Sequence, residues 1–231
     1  MEIDKNSADK WNKFLLNKKQ ESFPAQGLVR IIKGKYPLLP KLPSSGHVLE
    51  VGCGDGRNVR FLRDFGYKVS AVEITSEIAN SLSKRLPDVD VRVGTNSNLP
   101  FKSESFDLVV SWHAFYYLDG SEDLSIKKNM DEFQRVIKHN SKSAMVISVP
   151  TPENFVYEAS KLIKSDNFVN YRRIQNDYFG TRNGGMLAEF KTKDSLCETL
   201  EVMGASEIQI GEELGEWFGL KYNWWVAVAI F

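Results

Sequence analysis

The chain has 231 residues, of which 42% are hydrophobic and 26% are charged, and its 30 basic residues balance 30 acidic ones. This composition predicts a packed core and excludes general disorder. The neutral balance argues against duplex nucleic-acid binding, and no run approaches the ~20 apolar residues that a membrane-spanning helix needs. We therefore expect neither a nucleic-acid partner nor stable membrane insertion, and the oligomeric state stays open.

The two cysteines, Cys53 and Cys197, form neither a disulfide framework nor a metal-binding CxxC pair. No cluster of His, Cys, Asp and Glu has the spacing of metal ligands, so no metal is expected. The first residues are polar, which speaks against a secretory signal. These features predict a cytoplasmic protein.

The N-terminal 45 residues predict a helical cap. Apolar residues recur at helical spacing, at Trp11, Phe14 and Leu15 and again at Leu28, Ile31 and Ile32. Lysines flank the first group, so a membrane-touching helix is an alternative. We favour a helix that packs over a ligand cleft, followed by a proline-rich linker.

Strands and helices alternate from His47 to Val149. Strands are predicted at 47–51, 68–74, 89–93, 106–111 and 144–149, and helices at 58–65, 76–86 and 124–138. This order is typical of βαβ units, which form a parallel sheet with helices on both faces.

A polar, aromatic stretch then interrupts the alternation, before a helix at 193–203 and two strands at 207–210 and 223–231. The last two strands have no helix between them, which predicts an antiparallel pair. The fold class is thus a doubly wound, Rossmann-like α/β domain, with a mostly parallel seven-stranded sheet and an antiparallel C-terminal strand. Within this single domain we expect a cap at 1–45, a cofactor-binding core at 46–150, an insertion at 151–190 and a C-terminal unit at 191–231. We favour an acceptor lid for the insertion, and a solvated connecting segment is the alternative.

The strongest local pattern is a glycine-rich turn at residues 50–56, with the sequence EVGCGDG, between a strand and a helix. Glycines permit a left-handed backbone and close approach of a ligand. Glu73 ends the next strand, where nucleoside-binding folds place an acid that binds ribose hydroxyls. The simpler alternative is a tight turn beside an unrelated surface glutamate.

Dinucleotide binding is the main rival interpretation, because its fingerprint is G-x-G-x-x-G. The third glycine position is occupied by Arg57, whose long side chain fits that fingerprint poorly. Glu50 would repel a pyrophosphate, whereas it can pair with the ammonium group of an amino acid.

Taken together, the turn and Glu73 resemble motif I and the ribose-binding acid of class I S-adenosylmethionine-dependent methyltransferases. The stretches Leu99–Phe101 and Ser105–Val110 resemble the LPF…SFD pattern of the small-molecule branch of that family. The resemblance covers residues 46–150 and implies S-adenosylmethionine as cofactor, S-adenosylhomocysteine as product and a small-molecule acceptor.

The same resemblance implies a set of cofactor-binding residues. Gly52, Gly54 and Gly56 would wrap the methionine portion, with Cys53 in the same loop, Glu50 at the amino group and Ser111 nearby; Glu73 and Ile74 would hold the ribose; Thr95 and Asn96 would flank the adenine. Many family members have Asp where this sequence has Thr95. The sequence therefore leaves open which side chain here binds the adenine amino group.

Candidate acceptor-binding residues follow the fourth strand and lie in the insertion. His113 is a candidate general base, with structural packing or a substrate hydrogen bond as alternatives. Tyr116 and Tyr117 are candidate substrate contacts. Arg172 and Arg173 would grip an anionic group of the acceptor.

The acceptor class is weakly indicated by residues 178–184, which resemble stretches in bacterial methyltransferases that act on sugars or glycan precursors. Two other functions stay open on the sequence alone. One is an NAD(P)-dependent oxidoreductase, and the other is a non-catalytic S-adenosylmethionine-binding module.

Overall fold

A central β-sheet dominates the computed structural model, which describes residues 5–17, 23–119, 124–140 and 142–231. In this part of the chain the strands are β1 (His47–Val51), β2 (Lys68–Glu73), β3 (Asp90–Val93), β4 (Leu108–Trp112), β5 (Tyr117–Leu118), β6 (Ala144–Pro150), β7 (Ser160–Ser165), β8 (Val169–Ile174), β9 (Met186–Phe190), β10 (Glu207–Glu213), β11 (Glu216–Trp217), β12 (Leu220–Lys221) and β13 (Trp224–Ile230). The helices are α1 (Lys5–Asn17), α2 (Gln26–Lys33), α3 (Arg57–Asp64), α4 (Ser76–Arg85), α5 (Lys127–Val136), α6 (Phe155–Glu158) and α7 (Lys193–Val202).

Seven strands form the central sheet in the order β10-β13-β6-β4-β1-β2-β3. Neighbouring strands are parallel except around β13, which runs antiparallel to both β6 and β10. This topology confirms the predicted fold class, a doubly wound α/β sheet with an antiparallel C-terminal strand.

Residue chemistry explains why the central strands lie inside. Every residue of β4 and β6 is buried, and these strands consist largely of Val, Ile, Leu and Ala. Strands covered on both faces carry such continuous apolar runs. The buried side chains form two clusters, one on each face of the sheet, which the helices cover.

Residues 151–190 contribute three strands, β7, β8 and β9, to a second sheet that the sequence analysis did not predict, and β5 supplies the fourth strand. Its four strands are antiparallel in the order β5-β9-β8-β7. The signal was present in β8, where Val169 and Tyr171 are buried and alternate with the polar Asn170 and Arg172. The glycines Gly184 and Gly185 belong to the hydrogen-bonded connection between β8 and β9, since Ile174 N–H donates to Gly185 O at 2.9 Å.

Several predicted boundaries differ from the structure by one to three residues, those of β4 and α5 among them. Strand β4 begins at Leu108 rather than Phe106, because Phe106 forms an isolated bridge with Ile137 instead of joining the sheet. Helix α5 spans 127–136 rather than 124–138, because Ile137 has an extended backbone that ends the helix.

The carboxyl ends of β1, β2, β4 and β6 meet at one edge of the central sheet. Ligands of open α/β sheets bind at this edge. Helix α1 contacts α4 there, and β5, which leaves the end of β4, joins the second sheet to the same edge. This edge is therefore where a site is expected.

Candidate functional site

A cavity of about 280 Å³ lies at the carboxyl edge of the sheet. Its wall combines the glycine turn, the ends of β2 and β3, the segment after β4, helix α1 and the second sheet. The predicted residues that line it are Gly52, Gly54, Glu73, Ile74, Thr95, Asn96, His113, Tyr117 and Arg173. Both the cofactor-binding and the acceptor-binding predictions thus have members in one cavity.

The three glycines of the turn have left-handed backbones, with φ of +72° at Gly52, +54° at Gly54 and +79° at Gly56. A Cβ at Gly56 would collide with Leu82 of α4, so this glycine allows helix packing and does not line the cavity. A Cβ at Gly54 would meet only Leu15, 3.9 Å away. Gly54 therefore borders open space that a side chain would fill.

Glu73 ends β2 and is held by the backbone on both sides. Its Oε2 accepts from Gly54 N–H at 2.7 Å, and its Oε1 accepts from Ile74 N–H at 2.9 Å. Burial raises the pKa of this carboxyl, and the two backbone donors partly oppose the rise. Because a carboxylate can accept about four hydrogen bonds, Glu73 retains capacity for ligand hydroxyls.

Glu50 is buried at the end of β1, just before the turn. Its Oε1 accepts from Asn58 Nδ2 at 2.8 Å, while its buried Oε2 has no hydrogen-bond partner among the described residues. Burial raises the pKa of Glu50 to about 8. An unsatisfied buried carboxyl oxygen is unusual and marks a place where a donor group of a ligand would be stabilising.

Four predicted cofactor residues lie behind the cavity wall rather than on it: Glu50, Cys53, Gly56 and Ser111. Ser111 Oγ donates to Val51 O at 3.5 Å, and burial raises the pKa of the Cys53 thiol. Both cysteines have free thiols. Cys53, Gly56 and Ser111 therefore support the turn without lining the cavity, whereas Glu50 also has an oxygen without a partner among the described residues.

The loops after β3 and β4 are tied together beside Glu73. Asn96 Nδ2 donates to Ala114 O at 2.7 Å and to Tyr117 O at 3.0 Å. Asp119 also lines the cavity here, and its Oδ2 accepts from Ser97 Oγ at 2.6 Å. The sequence analysis missed Asp119, because only the fold brings position 119 next to position 97.

His113 follows β4 with a left-handed backbone, φ +61°, which is uncommon for a residue with a side chain. Its ring stacks on Trp224 with centroids 3.6 Å apart, and its backbone N–H donates to Ser148 Oγ at 2.8 Å. The buried Nε2 has no partner among the described residues. Burial, together with the positive charges of Arg57 and Arg182, lowers the pKa of His113 to about 3, so the ring is neutral at physiological pH.

The structure separates Arg172 from Arg173. Consecutive strand residues point to opposite faces of a sheet. Arg173 lines the cavity, whereas Arg172 Nε pairs with the buried carboxylate of Glu189 at 2.5 Å. Of the two arginines predicted to bind one anion together, only Arg173 lines the cavity.

The tyrosines after β4 separate in the same way. Tyr117 lines the cavity, but Tyr116 is buried against Trp224, with ring centroids 6.1 Å apart, and does not reach it. Burial raises the pKa of Tyr116 well above its ordinary value. Tyr116 is thus a packing residue in this structure.

Helix α1 forms the roof of the cavity through Trp11 and Leu15. One side of the helix bonds to the start of α4, where the Thr75 hydroxyl donates to Asn12 Oδ1. The other side bonds to the loop before β9, where Lys10 Nζ donates to Asn183 O at 2.8 Å. This position agrees with a helix packed over a ligand cleft.

The cavity fits the three parts of S-adenosylmethionine. Gly54 leaves room for an amino-acid chain, Glu73 can accept from ribose hydroxyls, and the loops after β3 and β4 enclose space beyond the ribose position. The open oxygen of Glu50 suits a nearby ammonium group. Among the described residues no cluster of metal-binding side chains occurs, and no helix there is long and apolar enough to cross a membrane.

Comparison with known proteins agrees with this fit. Residues 49–145 match a family model described as a methyltransferase domain. The chain is 26% identical over 184 residues to TehB of Haemophilus influenzae, a probable S-adenosyl-L-methionine-dependent methyltransferase, covering 75% of this chain and 64% of TehB. It is 32% identical over 103 residues to an uncharacterized methyltransferase of Schizosaccharomyces pombe, covering 44% of this chain and 39% of that protein. The chain spans less than two thirds of either relative.

Solved structures show the same fold. An S-adenosylmethionine-dependent methyltransferase from Methanosarcina mazei has a TM-score of 0.59 and 18% identity, over 85% of this chain and 97% of that one. The 1,6-didemethyltoxoflavin-N1-methyltransferase of Burkholderia thailandensis, solved with 1,6-didemethyltoxoflavin and S-adenosylhomocysteine, has a TM-score of 0.59 and 15% identity, over 100% of this chain and 90% of that one. The domain match over residues 49–145 and the shared fold agree in showing that the chain is similar to S-adenosylmethionine-dependent methyltransferases.

Proposed function

We propose that the protein transfers the methyl group of S-adenosylmethionine to a small-molecule acceptor and releases S-adenosylhomocysteine. The observation that carries this proposal is a single cavity in which Gly54 and Glu73 face the same space as Tyr117 and Arg173. Such a cavity can bring a methyl donor and an acceptor together, and holding two reactants in attack geometry is worth roughly 7–11 kcal/mol.

The chain's own residues would hold the donor along the sheet edge. Gly52 and Gly54 would accommodate the methionine portion, Glu73 with Ile74 the ribose, and Thr95 with Asn96 the adenine. Glu50, behind the turn, would stabilise the ammonium group through its open oxygen. The bound cofactor supplies an electrophilic methyl group, so the protein's task is orientation.

His113 would orient the acceptor rather than remove its proton. A ring with a pKa of about 3 is a weak base at physiological pH, but its open Nε2 can form a hydrogen bond. Tyr117 and Arg173 would complete the acceptor side, with Arg173 suited to a carboxylate or phosphate group. When an acceptor hydroxyl or amine attacks the methyl carbon, its proton would leave to solvent.

The small-molecule class is supported by the Burkholderia neighbour, which was solved with a small-molecule ligand. A sugar-containing acceptor or glycan precursor stays a prediction of the sequence, as does a cytoplasmic location. Residues 151–190 would act as the acceptor-binding part of the domain, because β8 and the connection to β9 contribute Arg173 and Gly184 to the cavity.

Binding measurements come first in the test. Calorimetry should show that S-adenosylmethionine and S-adenosylhomocysteine bind, and that NAD does not. A screen with methyl-labelled cofactor against fractionated metabolites of the native cell should then reveal a labelled small molecule. Tight NAD binding without a response to either sulfur compound would overturn the proposal in favour of an oxidoreductase, and cofactor binding without transfer to any fraction would favour a non-catalytic module.

A further inference from the structure

The base-binding end of the cavity contains a carboxylate, Asp119, that no part of the proposed mechanism uses. Gly94 N–H donates to the backbone oxygen of Glu73 at 3.0 Å, which places the loop after β3 directly beside the ribose-binding acid. Asp119 lines the cavity together with Gly94 and Thr95. A base attached to a ribose at Glu73 would therefore extend toward Asp119.

The other polar groups at this end are already engaged within the protein. The Thr95 and Ser97 hydroxyls bond to each other at 3.1 Å, and the Asn96 amide nitrogen binds two backbone oxygens. The Ser97 hydroxyl also donates to Asp119 Oδ2 at 2.6 Å, which fixes the orientation of the carboxylate. A carboxylate accepts about four hydrogen bonds and donates none when ionised. Asp119 is thus a hydrogen-bond acceptor of fixed orientation in the wall of the cavity beside the loop after β3.

We propose that Asp119 accepts a hydrogen bond from the exocyclic amino group of adenine and thereby makes the cavity selective for adenine over bases with a carbonyl at that position. This inference rests on the proposed function and adds a specificity-determining residue to it. If a base carried a carbonyl oxygen at that position, two hydrogen-bond acceptors would face each other with no donor between them. A buried polar group left without its partner strongly disfavours binding of such an analogue.

The test compares S-adenosylhomocysteine with S-inosylhomocysteine, in which an oxygen replaces the amino group. Dissociation constants are measured by calorimetry for the unaltered protein and for Asp119→Asn, whose amide can donate to the oxygen. We expect the unaltered protein to prefer the adenine compound at least tenfold, since a hydrogen bond to a charged group has about that effect on affinity. Asp119→Asn should weaken the adenine compound about tenfold and leave the inosine compound unchanged or tighter.

Two further variants separate recognition from general effects. Ser97→Ala removes the hydroxyl that orients Asp119 and should reduce the preference in part. Asp90→Asn removes an equal charge from an exposed acid on β3 that pairs with Arg92, and it should leave the preference unchanged. Thermal unfolding confirms that each variant is folded.

The possible outcomes are distinguishable. If the unaltered protein binds S-adenosylhomocysteine and Asp119→Asn keeps the full preference for adenine, this inference is overturned while the proposed function stands. If the unaltered protein binds neither compound, the proposed function fails and the inference fails with it. A preference that collapses in Asp119→Asn but not in Asp90→Asn establishes Asp119 as the base-reading residue.

Discussion

The two sides of the cavity are built in different ways. On the proposed cofactor side, Gly52, Gly54 and Glu73 lie directly after β1 and at the end of β2, which are parallel neighbours. On the acceptor side, Arg173 lies in β8, whose contact with the cavity depends on pairing with β9 and, through β9, with β5. The first side follows from local sequence order, whereas the second depends on antiparallel pairing between distant segments.

This difference predicts different responses to mutation. The cofactor side consists of backbone turns and a buried acid, so substitutions there should affect cofactor binding directly. The acceptor side consists of side chains on one face of a sheet, so a substitution affects either the site or the stability of the sheet, depending on which face carries it. Four experiments test the contrast.

The largest effect is expected for Gly54→Val. A branched side chain at φ +54° is strained and would fill the space that borders the turn. Cofactor affinity should fall by about a hundredfold or more, measured by calorimetry. Gly219→Val is the matched control, because Gly219 also has a left-handed backbone, φ +86°, but no atom near its Cβ position. Equal losses of affinity in both variants would show that backbone strain, rather than the cavity, is responsible.

Glu73→Ala should weaken cofactor binding by about tenfold or more, because hydrogen bonds from two ribose hydroxyls to a charged group are lost. Glu73→Gln separates charge from shape, since the amide can still accept from Gly54 N–H. We expect an intermediate loss for Glu73→Gln. Unchanged affinity in both folded variants would refute the assignment of Glu73 to the ribose.

We expect substitutions of the two neighbouring arginines of β8 to affect different properties, acceptor binding in one case and stability in the other. Arg173→Ala should raise the KM for an anionic acceptor about tenfold and leave cofactor affinity unchanged, because it removes a cavity-lining guanidinium. Arg172→Ala should spare acceptor use but lower the free energy of unfolding by roughly 1–3 kcal/mol, because it leaves the buried Glu189 without its ion pair. Steady-state kinetics and chemical denaturation of both variants measure the difference. The reverse pattern would contradict the assignment of faces.

The smallest effect concerns Glu50. Its folded-state pKa of about 8 exceeds the ordinary value of 4.5, so the folded protein retains a proton that the unfolded chain loses above pH 4.5. The contribution of this group to stability therefore falls as pH rises from 4.5 to 8. Glu50→Gln should be less sensitive to pH and melt a few degrees higher than the unaltered protein at pH 8. Identical pH profiles in thermal unfolding would show that Glu50 is ionised in the folded protein.

Much of the cofactor side was predictable because its signals are local. The turn at residues 50–56 and the acid at 73 stand at strand ends, and strand ends follow from apolar runs and glycines. Helix α4 begins in the same local way, because the Thr75 hydroxyl just before it accepts from Ile78 N–H at 3.4 Å. In these cases the pattern and its structural consequence lie within a few residues of each other.

The acceptor side was less predictable because its decisive contacts are distant in sequence. Nothing local distinguishes Arg172 from Arg173; only the pairing of β8 with β9 decides which of them faces the cavity. Asp119 becomes a candidate only when the fold brings it beside Ser97. The strands between 151 and 190 were not predicted, because β7 and β8 are short and mix polar with apolar residues instead of carrying long apolar runs.

The two-residue strand β5 has a consequence for how such domains can be recombined. By sequence, Tyr117 and Leu118 follow β4 of the cofactor core; by hydrogen bonding, they are an edge of the second sheet, paired with Leu187 and Met186. A chimera that exchanges residues 151–190 between relatives would therefore pair β5 of one protein with β9 of another. We expect a chimera to acquire the acceptor specificity of the donor protein only when the segment after β4 is exchanged together with residues 151–190. The acceptor site is therefore formed by two segments that are separate in the chain.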